Sequence, residues 1–121
     1  MDESEFLEKR KYPRAPVEVE IHSSELPEDQ QKGKGLLCFF SKNISVGGIF
    51  LETTMPLEIG SVIYMRFNLP SSPTPIITQA IIVRINKKGT DLTPGMGIEF
   101  RHLSYADKTT IDEYVKRNGD K

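Results

Sequence analysis

The segment Ser61-Val62-Ile63-Tyr64-Met65-Arg66-Phe67-Asn68-Leu69 carries apolar side chains at every second position from Ile63 to Leu69. The positions between them include the polar residues Arg66 and Asn68. Side chains of a strand point alternately to the two faces of its sheet. The pattern therefore predicts a half-buried β-strand with one face in the core.

Five further segments on either side of this strand have similar composition and length. We predict strands at residues 17–21, 36–41, 49–53, 76–85 and 95–100. Residues 22–35 are interpreted as a long polar loop, and the apolar run 36–40 as a buried strand that encloses the thiol of Cys38. About six short strands at a spacing of roughly ten residues predict a small all-β barrel or sandwich.

The C-terminal segment changes from strand to helix character. Ser104 is a suitable N-cap with Asp107 three residues later, and Gly119 is a suitable end of the helix. The apolar positions at helical spacing are Ile111, Tyr114 and Val115. We expect this helix to lay one apolar stripe over the barrel or its mouth.

Length and charge limit the functional classes. The 121 residues are 37% hydrophobic and 27% charged, which suits one globular domain. Residues 1–16 are rich in charge and contain two prolines, so they are predicted to be a flexible N-terminal arm, and residues 17–118 to form the barrel and helix. The net charge of −1 gives no general attraction for nucleic acid or membranes. Without a signal peptide, lipidation motif or membrane-length apolar stretch, we expect a cytoplasmic protein without membrane insertion.

Two short motifs suggest binding chemistry. Arg10 and Arg14 form an RxxxR pattern in the arm, and the guanidinium fork of arginine matches two phosphate oxygens or the O6 and N7 edge of guanine. About thirty residues later, Asn43-Ile44-Ser45-Val46-Gly47-Gly48 forms an NxSxxG turn. Asn43 and Ser45 offer short hydrogen-bonding side chains. The two glycines permit positive φ and close approach of a ligand ring to the main chain.

The two motifs in this order resemble the signature of PilZ domains, bacterial receptors for the second messenger cyclic di-GMP. Residues 8–10, 48–51, 80–84 and 95–100 extend the resemblance, which covers residues 8 to about 116. It implies a six-stranded antiparallel β-barrel with a C-terminal α-helix. It also implies that cyclic di-GMP binds through the motif residues, which are Arg10, Arg14, Asn43, Ser45, Gly47 and Gly48.

The resemblance also suggests a role for Lys9, which precedes the first arginine and abuts the ligand in this family. A basic group there favours a stacked pair of dinucleotides, so we expect two ligands for each protomer. We further expect the ligand to order the arm over the barrel and thereby change a surface presented to a protein partner. Family resemblance suggests that this partner acts in motility, adhesion or exopolysaccharide control.

Other side chains carry weaker signals. Arg84 and Arg101 could help to hold phosphate, but they are interpreted as surface charges. His22 and His102 show no spacing to cysteine or carboxylates that suits a metal. The sequence contains no paired catalytic carboxylates, GxSxG motif or P-loop, so we predict no enzymatic activity, no cofactor and no metal site.

The sequence leaves three alternatives open. The same barrel could be a protein-interaction module that does not bind nucleotide, although the two arginines disfavour this. The ligand could be a related dinucleotide such as cyclic GMP–AMP. An oligonucleotide-binding barrel is disfavoured because the chain lacks a wide basic stripe with interleaved aromatic residues.

Overall fold

A computed structural model describes residues 13–24, 37–70, 72–89 and 91–119 of the chain. These residues form seven β-strands and one α-helix. The elements are β1 (Ala15–Pro16), β2 (Glu20–Ser24), β3 (Leu37–Ile44), β4 (Gly48–Glu52), β5 (Val62–Phe67), β6 (Ile76–Asn86), β7 (Gly95–Phe100) and α1 (Tyr105–Asn118).

Six of the strands close into a barrel. The order around the barrel is β2, β3, β4, β7, β6 and β5, and β5 pairs again with β2. Every neighbouring pair is antiparallel. This confirms the six-stranded antiparallel barrel with a C-terminal helix and excludes the sandwich. The short strand β1 is an addition, which pairs with the end of β3.

The core lies inside the barrel and under one face of the helix. The predicted alternation of β5 is confirmed, because Ile63, Met65 and Phe67 are buried. Helix α1 contributes Ile111 and Val115 to the same apolar cluster. Each such side chain removed from water contributes about 1.5–3 kcal/mol, so the helix is held mainly by this contact.

The N-terminal strands differ from the prediction. Residues 17–21 do not form one strand, because β1 ends at Pro16 and β2 begins at Glu20. Strand β2 also continues to Ser24, into the predicted loop, since its backbone pairs with both β3 and β5. The tertiary pairing therefore overrides the local polarity of His22, Ser23 and Ser24.

Strand β3 is not buried on both faces, which corrects the prediction for Cys38. Its side chains alternate, so that Phe39 and Ser41 face the interior while Cys38 and Phe40 are exposed. The apolar composition of the run concealed this alternation, because two of its outward residues are themselves apolar or weakly polar.

The side chain of Ser41 bridges the gap between β1 and β2. Its Oγ donates to the carbonyl oxygen of Val17 at 2.8 Å and accepts from the amide of Val19 at 3.0 Å. On the other edge of β3, the pairing with β4 shifts between Ser41 and Asn43. A bulge of this kind re-aims the residues that follow it, which here begin the NxSxxG turn.

Helix α1 begins and ends as the sequence indicated. The amide of Asp107 donates to Ser104 Oγ at 3.0 Å, and the amide of Gly119 donates to the carbonyl oxygen of Val115 at 2.7 Å. Tyr114 Oη donates to the carbonyl oxygen of Pro16 at 2.8 Å and so ties the helix to β1. Burial raises the pKa of the Tyr114 phenol above its ordinary value.

The part of the chain that the structure describes contains no helix with the length and hydropathy needed to cross a membrane.

Candidate functional site

The turn between β3 and β4 is held by a compact set of hydrogen bonds. The amide of Ser45 donates to the carbonyl oxygen of Gly48 at 2.8 Å, and the Gly48 amide donates back to Ser45 at 3.3 Å. Ser45 Oγ also accepts from the amides of Gly47 and Gly48, at 3.1 and 3.3 Å. The hydroxyl oxygen therefore organises the turn, and the hydroxyl hydrogen can still serve a ligand as a donor.

The requirement for glycine at position 48 comes from the sheet. A Cβ atom on Gly48 would collide with the backbone carbonyl oxygen of Ile98 on β7. The positive-φ glycines among the described residues are Gly60 and Gly89, so neither Gly47 nor Gly48 uses the positive φ that glycine permits. Close approach of β7, and not turn geometry, explains the glycine of the motif.

A cleft of about 1170 Å³ opens beside this turn. The structure brings together on its walls all the predicted site residues that it describes. These are Arg14, Asn43, Ser45, Gly47 and Gly48. The other two predicted residues, Lys9 and Arg10, lie outside the described residues, and so do residues 1–12 of the predicted arm. Arg14 reaches the cleft because β1, which follows it directly, pairs with Asn43 and Ile44.

The described walls of the cleft are strongly cationic. They include four residues that carry full positive charge, against the single carboxylate of Glu99. The four are Arg14, Arg84, Arg101 and Lys108. In a chain with a net charge of −1 this is a local concentration of positive charge, as required for an anion site.

Sequence reasoning underestimated Arg84 and Arg101, which line the cleft in the structure. The Arg84 guanidinium carbon lies 5.7 Å from the ring centroid of Phe50, which is a cation–π arrangement. The same side chain lies over Gly97, the partner of Arg84 on β7, where a Cβ would stand 3.5 Å from the Arg84 side chain. The pairing of β6 with β7 places Arg84 in the cleft, and this pairing cannot be predicted from sequence spacing alone.

Apolar groups complete the walls. Val46, Val83 and Phe100 line the cleft, and 48% of Val83 is exposed. A binding site with several cations beside apolar side chains suits an anion that also carries planar rings, since charge and apolar contact act together.

Comparisons with known proteins agree with this geometry. The family model described as "PilZ domain" matches residues 8–117. The fold is similar to the Bacillus subtilis inhibitor of motility MotI/DgrA, with a TM-score of 0.71, 21% identity and coverage of 90% of this chain. The match covers 50% of that protein, so this chain spans about half of its length.

A second structural match is the PilZ domain of YcgR from Escherichia coli, which was solved with c-di-GMP. The TM-score is 0.64 at 16% identity, and the match covers 91% of each chain. At these identities the two structures support the fold. No curated protein sequence matches significantly. Because the family model covers nearly the whole chain, this protein belongs to the PilZ domain family.

Proposed function

We propose that this protein is a non-enzymatic receptor for cyclic di-GMP that acts in the cytoplasm as an adaptor. The observation that carries the proposal is the convergence of Arg14 with the turn of residues 43–48 in one cationic cleft. Family membership supports the same ligand class, as does the c-di-GMP bound to the similar domain of YcgR.

The chemistry of the cleft suits each part of such a ligand. The Arg14 guanidinium offers a planar fork for phosphate or for the guanine edge, and each good bidentate guanine contact contributes about 1–3 kcal/mol. Asn43 and Ser45 supply neutral donors and acceptors at a turn already fixed by its own hydrogen bonds. Since this turn is ordered before binding, little entropy is lost there.

Two features support two ligands for each protomer. The cleft volume of about 1170 Å³ exceeds the range of about 300–1,000 Å³ usual for small-ligand pockets. A stacked pair of dinucleotides carries four negative charges. The four cationic side chains of the cleft, with Lys9 and Arg10 in addition, can offset that charge. Lys9 is proposed to contact the second ligand.

The proposed signal is an ordering of the N-terminal arm over the barrel. Arg14 immediately precedes β1, which is fixed to the barrel and to Tyr114 of α1. A ligand that engages Arg10 and Arg14 together would bind one arrangement of the arm better than the others. Such a ligand shifts the equilibrium toward that arrangement and alters the surface that a partner contacts. Amide exchange of residues 5–16 with and without ligand tests this step, and unchanged protection would refute it.

Calorimetric titration tests the receptor itself. Wild-type protein is titrated with cyclic di-GMP, cyclic GMP–AMP and single-stranded DNA, alongside Arg10→Ala, Arg14→Ala and the control Arg66→Ala. Arg66 lies on β5, across the barrel from β4 and outside the cleft. We expect two cyclic di-GMP for each chain. Arg10→Ala and Arg14→Ala should each lose at least tenfold in affinity, about 1.4 kcal/mol, and the control should lose none.

The same titration separates the alternatives. Preference for cyclic GMP–AMP would keep the site and change the ligand, while binding of DNA would point to an oligonucleotide barrel. Absence of binding to every dinucleotide at micromolar concentration would overturn the receptor and favour an interaction module. The downstream partner is proposed to act in motility, adhesion or exopolysaccharide control, and the motility inhibitor among the structural matches supports the first.

A further inference from the structure

A second cluster of potential ligands lies on the outside of the barrel, on β2 and β3. His22 pairs directly with Cys38 across the two strands, and both face outward because Ile21 and Phe39 point into the core. Glu20 lies two residues before His22 and therefore on the same outward face. The register of the two strands thus places a carboxylate, an imidazole and a thiol side by side.

The distance between the thiol and the imidazole suits the binding of one metal ion by both groups. Cys38 Sγ lies 3.7 Å from His22 Nδ1. Two ligands at the usual Zn–S and Zn–N lengths, at a tetrahedral angle, are separated by about 3.6 Å. Glu20 Oε1 lies 3.1 Å from His22 Nε2, and the ligand atoms of all three residues lie within 4.8 Å of one another.

We propose that Glu20, His22 and Cys38 form a binding site for one Zn²⁺ ion. A thiolate, an imidazole and a carboxylate are the ligand types of zinc, whereas Mg²⁺ and Ca²⁺ prefer oxygen ligands alone. His22 Nδ1 and Cys38 Sγ bind the ion. The Glu20 carboxylate rotates from its contact with Nε2 to become the third ligand, and a water molecule occupies the fourth position. The Cys38 thiol releases its proton to solvent when the Zn–S bond forms.

The strands make this site at little ordering cost. Both belong to the continuous hydrogen-bonded ladder of the barrel, so the relative position of His22 and Cys38 is fixed without the ion. All three side chains are exposed, which leaves them accessible to a metal from solution. A bound ion links β2 to β3 through their side chains, and so stabilises the pairing of these two strands.

This site is separate from the cleft. None of its three residues lines the cleft, and they lie toward the opposite end of β3 from Asn43. The proposal therefore does not depend on nucleotide binding. Sequence reasoning excluded a metal here because His22 and Cys38 are sixteen residues apart and only strand pairing brings them together.

Cobalt spectroscopy on the reduced full-length protein tests the proposal directly. Co²⁺ replaces Zn²⁺ in such sites, and a thiolate-to-cobalt charge-transfer band reports ligation by Cys38. We expect this band to saturate at one equivalent, together with the visible bands of tetrahedral cobalt. Addition of one equivalent of Zn²⁺ should abolish both, and Zn²⁺ affinity is then measured by competition with a chromogenic chelator.

Variants assign the ligands. Cys38→Ser should abolish the charge-transfer band, and Cys38→Ser and His22→Gln should each weaken Zn²⁺ binding at least tenfold. Glu20→Gln should weaken it less, since the thiolate and the imidazole, which hold the ion at the observed spacing, both remain. The matched controls are Glu18→Gln on the same segment and His102→Gln, the only other histidine of the chain, and both should retain wild-type Zn²⁺ affinity. Circular dichroism verifies that each variant is folded.

Two results would overturn the site. Wild-type protein that shows no charge-transfer band and no Zn²⁺ binding at micromolar metal has no such site. Zn²⁺ affinity that persists in both Cys38→Ser and His22→Gln would place the metal elsewhere in the chain.

Discussion

Replacement of Ser41 by alanine tests the claim that one side chain fixes the segment between β1 and β2 to the barrel. Ser41 is 4% exposed, and its Oγ bonds the backbone of Val17 and of Val19. Alanine removes the hydroxyl and leaves one carbonyl oxygen and one amide without this partner. The bond to Val17 is buried and the bond to Val19 partly buried. Loss of the partner costs about 1–3 kcal/mol at the Val17 carbonyl oxygen and somewhat less at the Val19 amide. The free energy of unfolding of the variant should therefore fall by about 2–4 kcal/mol.

Urea denaturation monitored by circular dichroism measures this loss. The midpoint should fall while the m-value stays constant, because the change is local. For a domain of this size the melting temperature should fall by about 8–16 °C. The matched control is Ser23→Ala, because Ser23 is equally buried and its hydroxyl makes one bond, to the Leu37 carbonyl oxygen at 3.1 Å.

The comparison of the two serine variants tests whether Ser41 forms this bridge. If Ser41→Ala is no more destabilising than Ser23→Ala, the side chain does not bridge the two strands in solution. Nucleotide affinity gives a second measurement, because β1 positions Arg14. We expect Ser41→Ala to weaken cyclic di-GMP binding under conditions in which the variant is still folded, and Ser23→Ala to leave the affinity unchanged.

Three further predictions concern the turn and the helix. Gly48→Ala should destabilise the fold by about 1–3 kcal/mol because its Cβ meets the Ile98 carbonyl oxygen, while Gly97→Ala, with its nearest contact at 3.5 Å, should cost less on thermal denaturation. Tyr114→Phe should cost about 0.5–1.5 kcal/mol in urea denaturation, since the bond to the Pro16 carbonyl oxygen is lost; an unchanged midpoint would argue against that bond. The raised pKa of Tyr114 means that the folded state favours the neutral phenol. The stability that depends on the neutral phenol is therefore fully present below pH 10.0 and is lost as the pH rises through the folded-state pKa. Wild type but not Tyr114→Phe should show this alkaline loss in pH-dependent melting.

The elements with strong local patterns could be predicted from the sequence. The alternation in β5 and the capped amphipathic pattern of α1 each determine which side chains are buried, and the structure confirms both. Neither pattern distinguished a barrel from a sandwich. That distinction depends on the closing pairs β3–β4 and β2–β5, which are not visible in local periodicity.

There is a physical reason why the burial of β3 and the extent of β2 could not be predicted. The apolar outward residues of β3, such as Phe40 at 63% exposure, make its two faces look alike in sequence. The polar residues His22 to Ser24 looked like a loop although the barrel uses them as a strand. In both places, pairing with neighbours outweighs local composition.

The candidate site was predicted in part. Arg14 and the residues of the turn were singled out by motif, and the structure places them on one cleft. Arg84 was undervalued because its position depends on Phe50 and Gly97, on two other strands. The cluster of Glu20, His22 and Cys38 was missed for the same reason. A contact between paired strands has no fixed sequence spacing.

Closure of the barrel has a consequence for how other proteins recognise this one. Each of the six barrel strands is hydrogen-bonded on both sides within the described residues. An incoming peptide therefore finds no unpaired edge of a barrel strand to which it could add as an extra strand. Such strand addition is a common mode of docking that tolerates many sequences. For a partner of the kind proposed above, the outward side chains of the barrel, such as Phe40 and Ile77, are available for contact. Partner choice in such a molecule can change by a single surface substitution while the scaffold stays intact.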